Sequence, residues 1–530
     1  MVEHVIPSGV TLDLENLPTD PEELRTMLAQ AAARIAEIES ERDAARGEAD
    51  RLRGIIQELQ RHRFGRRSER LDPDQLALAL EDLEQTLAAA ELAEGRKPGR
   101  VNALNRRKVN RGALPAHLPR IERVIDIADK ACPCCGGALH KIGEDMAERL
   151  DVIPAQFQVV VTRRPKYACR RCESAVVQAP ARAHIIEGGL PTETLLAHVV
   201  VAKYADHQPL YRQAQIYGRQ GVVLDRSTLA DWVGRAAWWL RPLHGRLLEH
   251  LKASTKLFAD ETTAPVLDPG RGRTKTGQLW AYARDNRPWG GRDPPAVAYV
   301  YAPDRKAERP AAHLIGFTGV LQVDGYAGYR LLAQNGQVTL AFCWSHVRRR
   351  FYEIVVTGTA PIASEALARI NALYAVEADI RGRSAEERRG IRQEQSKPLL
   401  DTFKPWLEAQ LGAVSQKSAI AAAMRYTLAR WEGLCRFLGD GRIEIDSNTV
   451  ERAIRPLALN RKNALFAGSD GGGDHWAILA SLFETCKLNA VDPHAYLSDV
   501  FTRLANNHPI TRLDELLPWA HAFAPTDHVV

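Results

Sequence analysis

At 530 residues the chain is longer than one hydrophobic core usually supports, so several folding units are expected. Hydrophobic residues make up 45% and charged residues 26%, a globular composition, and no apolar run reaches the roughly 18 to 20 residues that cross a bilayer. With 71 basic against 65 acidic residues the net charge is only +6, which selects no partner by itself, so the distribution of charge has to do so.

Met1 to Leu17 carries acidic residues and lacks the basic start and long apolar stretch of a secretion signal, which predicts a cytoplasmic protein outside the membrane. After a tail over 1–20, Leu28, Ala31, Ile35, Ile38, Arg42, Ala45, Ala49, Leu52, Ile56 and Leu59 alternate spacings of three and four, the seam of a coiled coil over 21–63. Self-pairing through this seam predicts a homo-oligomer; an amphipathic helix packed on its own domain is the competing reading. Arg61, Arg63, Arg66 and Arg67 follow, and Arg96 to Arg120 holds eight Lys or Arg residues and no acid. This basic linker, 64–120, predicts contact with nucleic-acid phosphates, against the alternative of a solvated tether.

The next module, 121–185, is marked by two knuckles, Cys132-x-x-Cys135 and Cys169-x-x-Cys172. Four thiolates in two tight turns predict one closed, structural Zn²⁺ site without a position for catalytic water; a redox pair is the competing reading. Over 186–250 the sequence turns helical, with a helix opening at Pro209-Leu210, a break at Gly218 to Gly221, and a second helix opening at Ser227-Thr228-Leu229. This predicts a helix-turn-helix in which Ser227 caps the second helix and Arg226, Ser227 and Thr228 approach DNA, while an ordinary helical hairpin explains the same pattern.

From 251 to 475 strands are predicted at Lys256 to Asp260, Gln278 to Arg284, Ala296 to Tyr301, Val320 to Asp324 and Val338 to Cys343. Helices are predicted at Arg305 to Ile315 and Tyr326 to Gln334, so the order is β-β-β-α-β-α-β, a mixed sheet covered by helices as in ribonuclease-H-like folds. Asp260 and Asp324 each end a predicted strand, and pairing of those two strands would bring both carboxylates to one edge of the sheet. A helical insertion is predicted over about 352–441, and a C-terminal helical domain over 476–530.

Several motifs in this order resemble the insertion sequence 66 family of DDE-superfamily transposases. They are Phe258-Ala259-Asp260-Glu261-Thr262, Val323-Asp324-Gly325-Tyr326, Cys343-Trp344-Ser345-His346, Glu451-Arg452-Ala453-Ile454-Arg455-Pro456, Phe466-Ala467-Gly468-Ser469 and Leu513-Asp514-Glu515-Leu516. The resemblance covers nearly the whole chain, including the coil, the knuckles and the helix-turn-helix. It implies that Asp260, Asp324 and Glu451 form a DDE triad holding Mg²⁺ or Mn²⁺, hard cations suited to carboxylate oxygens. Water would then cut the DNA at an element end, and the freed 3′-hydroxyl would attack target DNA. Small accessory proteins of the same element are a further implied partner, and the bacterial nucleoid the implied place of work.

Other residues have plainer readings. Glu261 would point away from Asp260 in a continuing strand and is given no metal role. Asp446 is read as a cap for the helix of Glu451, in a stretch where Asp446-Ser447-Asn448 departs from the family's usual Asp-Asn-Asn, and Asp304 and Asp470 are read as decoys. His346 either orients a phosphate or accepts a proton, or makes only a structural hydrogen bond. Arg348, Arg349, Arg452, Arg455, Arg461 and Lys462 are candidates for phosphate contacts. The run Gly471 to Gly473 lacks a following Lys-Ser or Lys-Thr, so it is read as a flexible loop and not as a nucleotide-binding P-loop. A transposase, a metal-dependent nuclease on the same fold and a non-catalytic DNA-binding regulator are the three functions these features allow.

Overall fold

The computed structural model describes residues 155–168, 176–268, 273–334 and 336–521, with scattered positions between 119 and 150. The expected coiled coil, the linker up to residue 118, and Cys132, Cys135, Cys169 and Cys172 lie outside the described residues. The chain divides into two units, and the sheet and its helices belong to the second, Thr162–Val530.

A short antiparallel pair, β1 (Lys166–Ala168) and β2 (Val176–Gln178), precedes three helices, α1 (Glu193–Tyr204), α2 (Leu210–Gly218) and α3 (Arg226–Lys252). Thr192 starts α1 by accepting the Leu195 N–H, and α2 stops at Gly218 ahead of a turn through Gly221, whose φ of 77° suits glycine. The expected cap at Ser227 is not observed. Asp225 occupies that position without a side-chain bond, and Ser227 lies inside the first turn. The helix is fixed by burial instead: Leu229, Trp232, Val233, Ala236, Leu240, Leu243, Leu247 and Leu251 make one continuous apolar face.

The sheet follows as β3 (Lys256–Asp268), β4 (Arg273–Arg284), β5 (Ala296–Ala302), α4 (Glu308–His313), β6 (Gly319–Val323), α5 (Arg330–Ala333) and β7 (Val338–Phe342). The strand order is β5-β4-β3-β6-β7, with β4 antiparallel to both its neighbours and β6 parallel to β3 and β7. Contrary to the sequence expectation, Asp260 does not end its strand. β3 runs on to Asp268 because its outer half pairs with β4, while its parallel pairing with β6 stops at Phe258↔Gln322.

Between β7 and the helix that carries Glu451 the chain is helical: α6 (Trp344–Val355), α7 (Pro361–Ile380), α8 (Ala385–Ile391), a π-helical segment (Arg392–Ser396), α9 (Lys397–Ala413), α10 (Ala419–Leu428) and α11 (Trp431–Cys435). Their core holds Trp344, Phe351, Ile370, Leu373, Phe403 and Phe437. Then α12 (Asn448–Ala464) packs on β3, and α13 (Asp470–Leu488) packs on β5, where Ser481 Oγ accepts the Tyr299 N–H at 2.7 Å. Gly471 to Gly473, expected as a flexible loop, form the first turn of α13, since Ser469 caps it by accepting the Gly472 N–H. After α14 (Pro493–Ala505), Leu513, Leu516 and Leu517 are buried, and Asp514 accepts hydrogen bonds from Arg246 and His250 of α3.

Two fully buried arginines hold the helical region together. Arg392 donates from Nε and Nη2 to Glu377 at 2.7 and 2.6 Å and from Nη1 to the Phe437 carbonyl at 2.9 Å, while Arg388 bridges Glu377 and Glu444. Removing one partner of such a network strands a buried charge. Arg392→Ala is therefore expected to lower unfolding free energy by about 3 to 5 kcal/mol, read from urea denaturation followed by circular dichroism.

A carboxylate cluster at the sheet edge

The parallel pairing of β3 and β6 ends at Phe258 and Gln322, and Asp260 and Asp324 each follow two residues later along their chains. Asp260 Oδ1 accepts the Glu261 N–H at 2.8 Å, and Asp324 Oδ1 accepts the Tyr326 N–H at 2.7 Å. Tyr426 reaches from α10 to donate to the Asp324 carbonyl at 2.9 Å. Gly325 turns the chain directly after Asp324 with a φ of 98°, a conformation natural to glycine.

Glu451, in the first turn of α12, is only 4% exposed. Its Oε1 accepts from Ser447 Oγ at 2.8 Å and from the Cys343 thiol at 3.9 Å, and lies 3.7 Å from His346 Nδ1. Its Oε2 is buried with no hydrogen-bond partner among the described residues. Cys343 also accepts the Ser447 N–H at 3.2 Å, so one sulfur ties the start of α6 to the start of α12. Asp446 holds the same junction, accepting from the Asn448 backbone and side chain.

Burial is the first cause that drives the Asp260 carboxyl well above the ordinary range, followed by the negative charges of Glu261, Asp324 and Glu451, with His346 opposing. Those charges act on one another, so the sheet edge gathers four carboxylates, with Arg305 paired to Glu261. Burial raises the Glu261 carboxyl as well, while its bonds to Arg305 and, at 2.8 Å, to the Tyr329 hydroxyl oppose that rise. Asp304 and Asp470 are engaged elsewhere, with Arg309 and with Lys275 and Tyr301.

The donor set fits a hard divalent cation. Asp260, Asp324 and Glu451 offer carboxylate oxygens, and the orphaned Glu451 Oε2 is a free ligand atom. Ligand atoms of Cys343, His346 and Glu451 also lie within 4.8 Å of one another. A soft metal there would need a thiolate, whereas burial, then Glu451 and Asp446, push the Cys343 thiol strongly upward and keep its proton in place.

The basic candidates divide. Arg226 and Ser227 are exposed at the start of α3, Thr228 is half-buried, and Arg452 and Lys462 are exposed on α12, with Arg455 half-buried between them. Arg348 donates to Asn371 at 3.3 Å and Arg349 to Glu353 at 3.4 Å. Arg461 is not a surface residue: it is buried against β3, donating to Thr262 Oγ1 at 3.2 Å and to the Thr263 carbonyl at 2.6 Å. Gln322 stands in the family-like stretch Leu321-Gln322-Val323-Asp324, but the resemblance assigns it no role; fully buried in β6, it donates to the Glu444 and Asp446 carbonyls at 2.9 and 3.2 Å and accepts the Glu444 N–H. It sets the approach to α12, as does Ser447, whose only visible mark was a departure from a familiar motif.

A carboxyl raised in the folded state favours folding at low pH and opposes it as pH rises from its unfolded value, about 3.9, through its folded value. Asp260→Asn is therefore expected to stabilise the metal-free protein at neutral pH, a gain that fades below about pH 4. Mg²⁺ at about a hundred times Kd should stabilise the unaltered protein by about 3 kcal/mol and the variant much less, both read by thermal melts.

Comparison with known families agrees with these features. Residues 188–475 match the description "Transposase IS66 family", 129–173 a "zinc-finger binding domain of transposase IS66", and 481–519 the "IS66 C-terminal element". Residues 51–123 match "Transposase C of IS166 homeodomain", a span that takes in the predicted basic linker. Two uncharacterized proteins of Sinorhizobium fredii, y4qI and y4jD, are 44% and 43% identical, each alignment covering 96% of this chain and 98% of the relative. A third, y4hP, is 40% identical over 88% of this chain. On the family match, which spans the sheet, its carboxylates and the helical region, and on these relatives, the chain belongs to the IS66 family of transposases.

Proposed function

We propose that this transposase binds the ends of its own element and performs metal-dependent DNA strand cleavage and strand transfer, with Asp260, Asp324 and Glu451 as the catalytic carboxylates of a ribonuclease-H-like core. The observation that carries the reading is the meeting of two parallel-strand aspartates with a helix-borne glutamate whose second oxygen has no partner among the described residues. The strand order, with an antiparallel three-stranded half joined to a parallel half, supports the fold assignment. Mg²⁺ or Mn²⁺ held by the three carboxylates would neutralise charge on the scissile phosphate and stabilise the attacking and leaving oxygens.

The chain's own side chains supply the remaining work. Ser447 and Cys343 fix one oxygen of Glu451 and leave the other for a ligand. His346, beside Glu451, is placed to orient a phosphate oxygen or hold a proton near it. Arg452, Arg455 and Lys462, on the helix of Glu451, supply positive charge for the DNA backbone, joined by Arg348 and Arg349 on α6 and by Arg226, Ser227 and Thr228 at the start of α3. The coiled coil would pair two copies, as joining two DNA ends requires, the cysteine knuckles would hold structural Zn²⁺, and small proteins of the same element would assist. No helix among the described residues is long and apolar enough to cross a membrane. Work on DNA would put the protein with the nucleoid in the cytoplasm.

With Mg²⁺ and a duplex carrying the element's own ends, Asp260→Ala and Glu451→Ala are each expected to slow nicking and joining by about 10³-fold or more, roughly 4 kcal/mol of barrier, while end binding survives. Cleavage that persists in both variants refutes the site. Nicking without joining by the unaltered protein makes it a nuclease, and binding alone makes it a regulator. Metal analysis should find about one zinc per chain, lost when Cys135→Ser and Cys172→Ser are combined.

A further inference from the structure

A second site lies apart from the carboxylates. The end of α12, the turn into α13, α1 and α3 enclose a cleft of about 370 Å³, within the size range of small-molecule sites. Its walls combine three kinds of chemistry. Lys203 brings an ammonium group with no carboxylate within 4 Å among the described residues; burial alone lowers it to about 8, and its one charge-type contact is the ring of Tyr204 at 4.9 Å. Asn460 is 3% exposed and lines the cleft, yet its side-chain amide makes no hydrogen bond among the described residues. Phe466, 41% exposed, and the buried Tyr204 and Trp476 give the cleft aromatic surface.

Two backbone features point the same way. Leu465 holds a φ of 65° and ψ of −48°, unusual for a residue with a side chain, and the turn is pinned to β3 by Ala467 N–H on the Pro265 carbonyl at 2.8 Å. That turn sets Phe466 in the cleft wall. Across from it is the N-terminal turn of α13, where a Cβ at Gly472 would meet nothing closer than 3.7 Å, so packing does not demand glycine there. The Gly472 N–H is already taken by Ser469 Oγ, so what this turn offers a phosphate is the positive end of the α13 dipole. The acid in that turn, Asp470, is turned to Lys275 and Tyr301 and does not line the cleft.

A lone ammonium, an unpaired amide and an open aromatic face together match a nucleotide: phosphate, base edge and base face. Arg461, ten positions along α12 from Glu451, lines the same cleft, which puts it about 15 Å from that residue, or about four base steps of duplex DNA. We propose that this cleft receives one unstacked nucleotide of the element-end DNA, close to the phosphate cut at the carboxylates. Lys203 and the start of α13 hold its phosphate, Asn460 contacts its base edge, and Phe466 stacks on its face. The proposal rests on the transposase reading and adds a specificity site to it.

The test uses the full-length protein and a duplex with the element's own end, scanned with 2-aminopurine at each of the positions nearest the cut. One position should brighten severalfold on binding to the unaltered protein, and Phe466→Ala should remove most of that signal. Lys203→Met should weaken end binding and reduce the slope of log affinity against log salt by about one, which Lys203→Arg should restore. Thermal melts matching the unaltered protein certify the fold of each variant. If the protein binds and cuts ends but no position brightens, or both variants behave as the unaltered protein, the nucleotide site is refuted and the transposase reading stands. If the unaltered protein neither binds nor cuts ends, the transposase reading fails and the nucleotide site falls with it.

Discussion

The parallel pairing of β3 with β6 is the constraint on which the rest of the site depends. With Phe258 opposite Gln322, the pairing ends two residues before Asp260 and Asp324 and brings both to the same end of the two strands, near enough for the charge of Asp324 to act on Asp260. Two carboxylates so placed repel, and burial of Asp260 amplifies the repulsion. The surrounding structure must therefore hold them against their preference. Buried aromatic and aliphatic side chains on β3 and β4, among them Phe258, Trp280 and Tyr282, supply the packing that does so.

Glu451 is delivered to this edge by a different device, because a long, mostly helical segment, residues 343–447, separates β7 from α12. An insertion of that size leaves its exit free to wander unless it is tied at the base. Gln322 makes the tie from inside the sheet, clasping Glu444 and Asp446, and the Trp344 N–H donates to the Ile445 carbonyl at 3.0 Å. The strand that leads to Asp324 thus also fixes the segment leading into α12. The entry to α12 is thereby tied at two points, to β6 through Gln322 and to the start of α6 through Trp344.

Much of this was legible in the sequence. The five strands stand out as β-branched and aromatic runs between glycines and prolines, and the strand-end position of Asp324 holds. What misled were residues whose local preference is overruled by packing. Asp260 reads as the end of its strand, yet β3 runs on to Asp268 because its outer half pairs with β4. Gly471 to Gly473 read as a loop until Ser469 is seen to cap them. No periodicity could reveal Gln322 or Lys203, because their surroundings are built by segments far away in the chain.

Charge illustrates the same point at the scale of the whole molecule. Several arginines that swell the basic count are spent inside: Arg388 and Arg392 against Glu377 and Glu444, and Arg461 against the threonines of β3. Others, such as Arg246 and Arg309, face acids on the surface. Net charge therefore says little about DNA, and what matters is where cations stand without acids. On α12 Arg452 and Lys462 are exposed, and Lys203 stands in the cleft near the helix's far end. The helix that carries Glu451 to the sheet edge is thus also the one that lays out positive charge leading away from it, and a single rigid rod sets the spacing between the two.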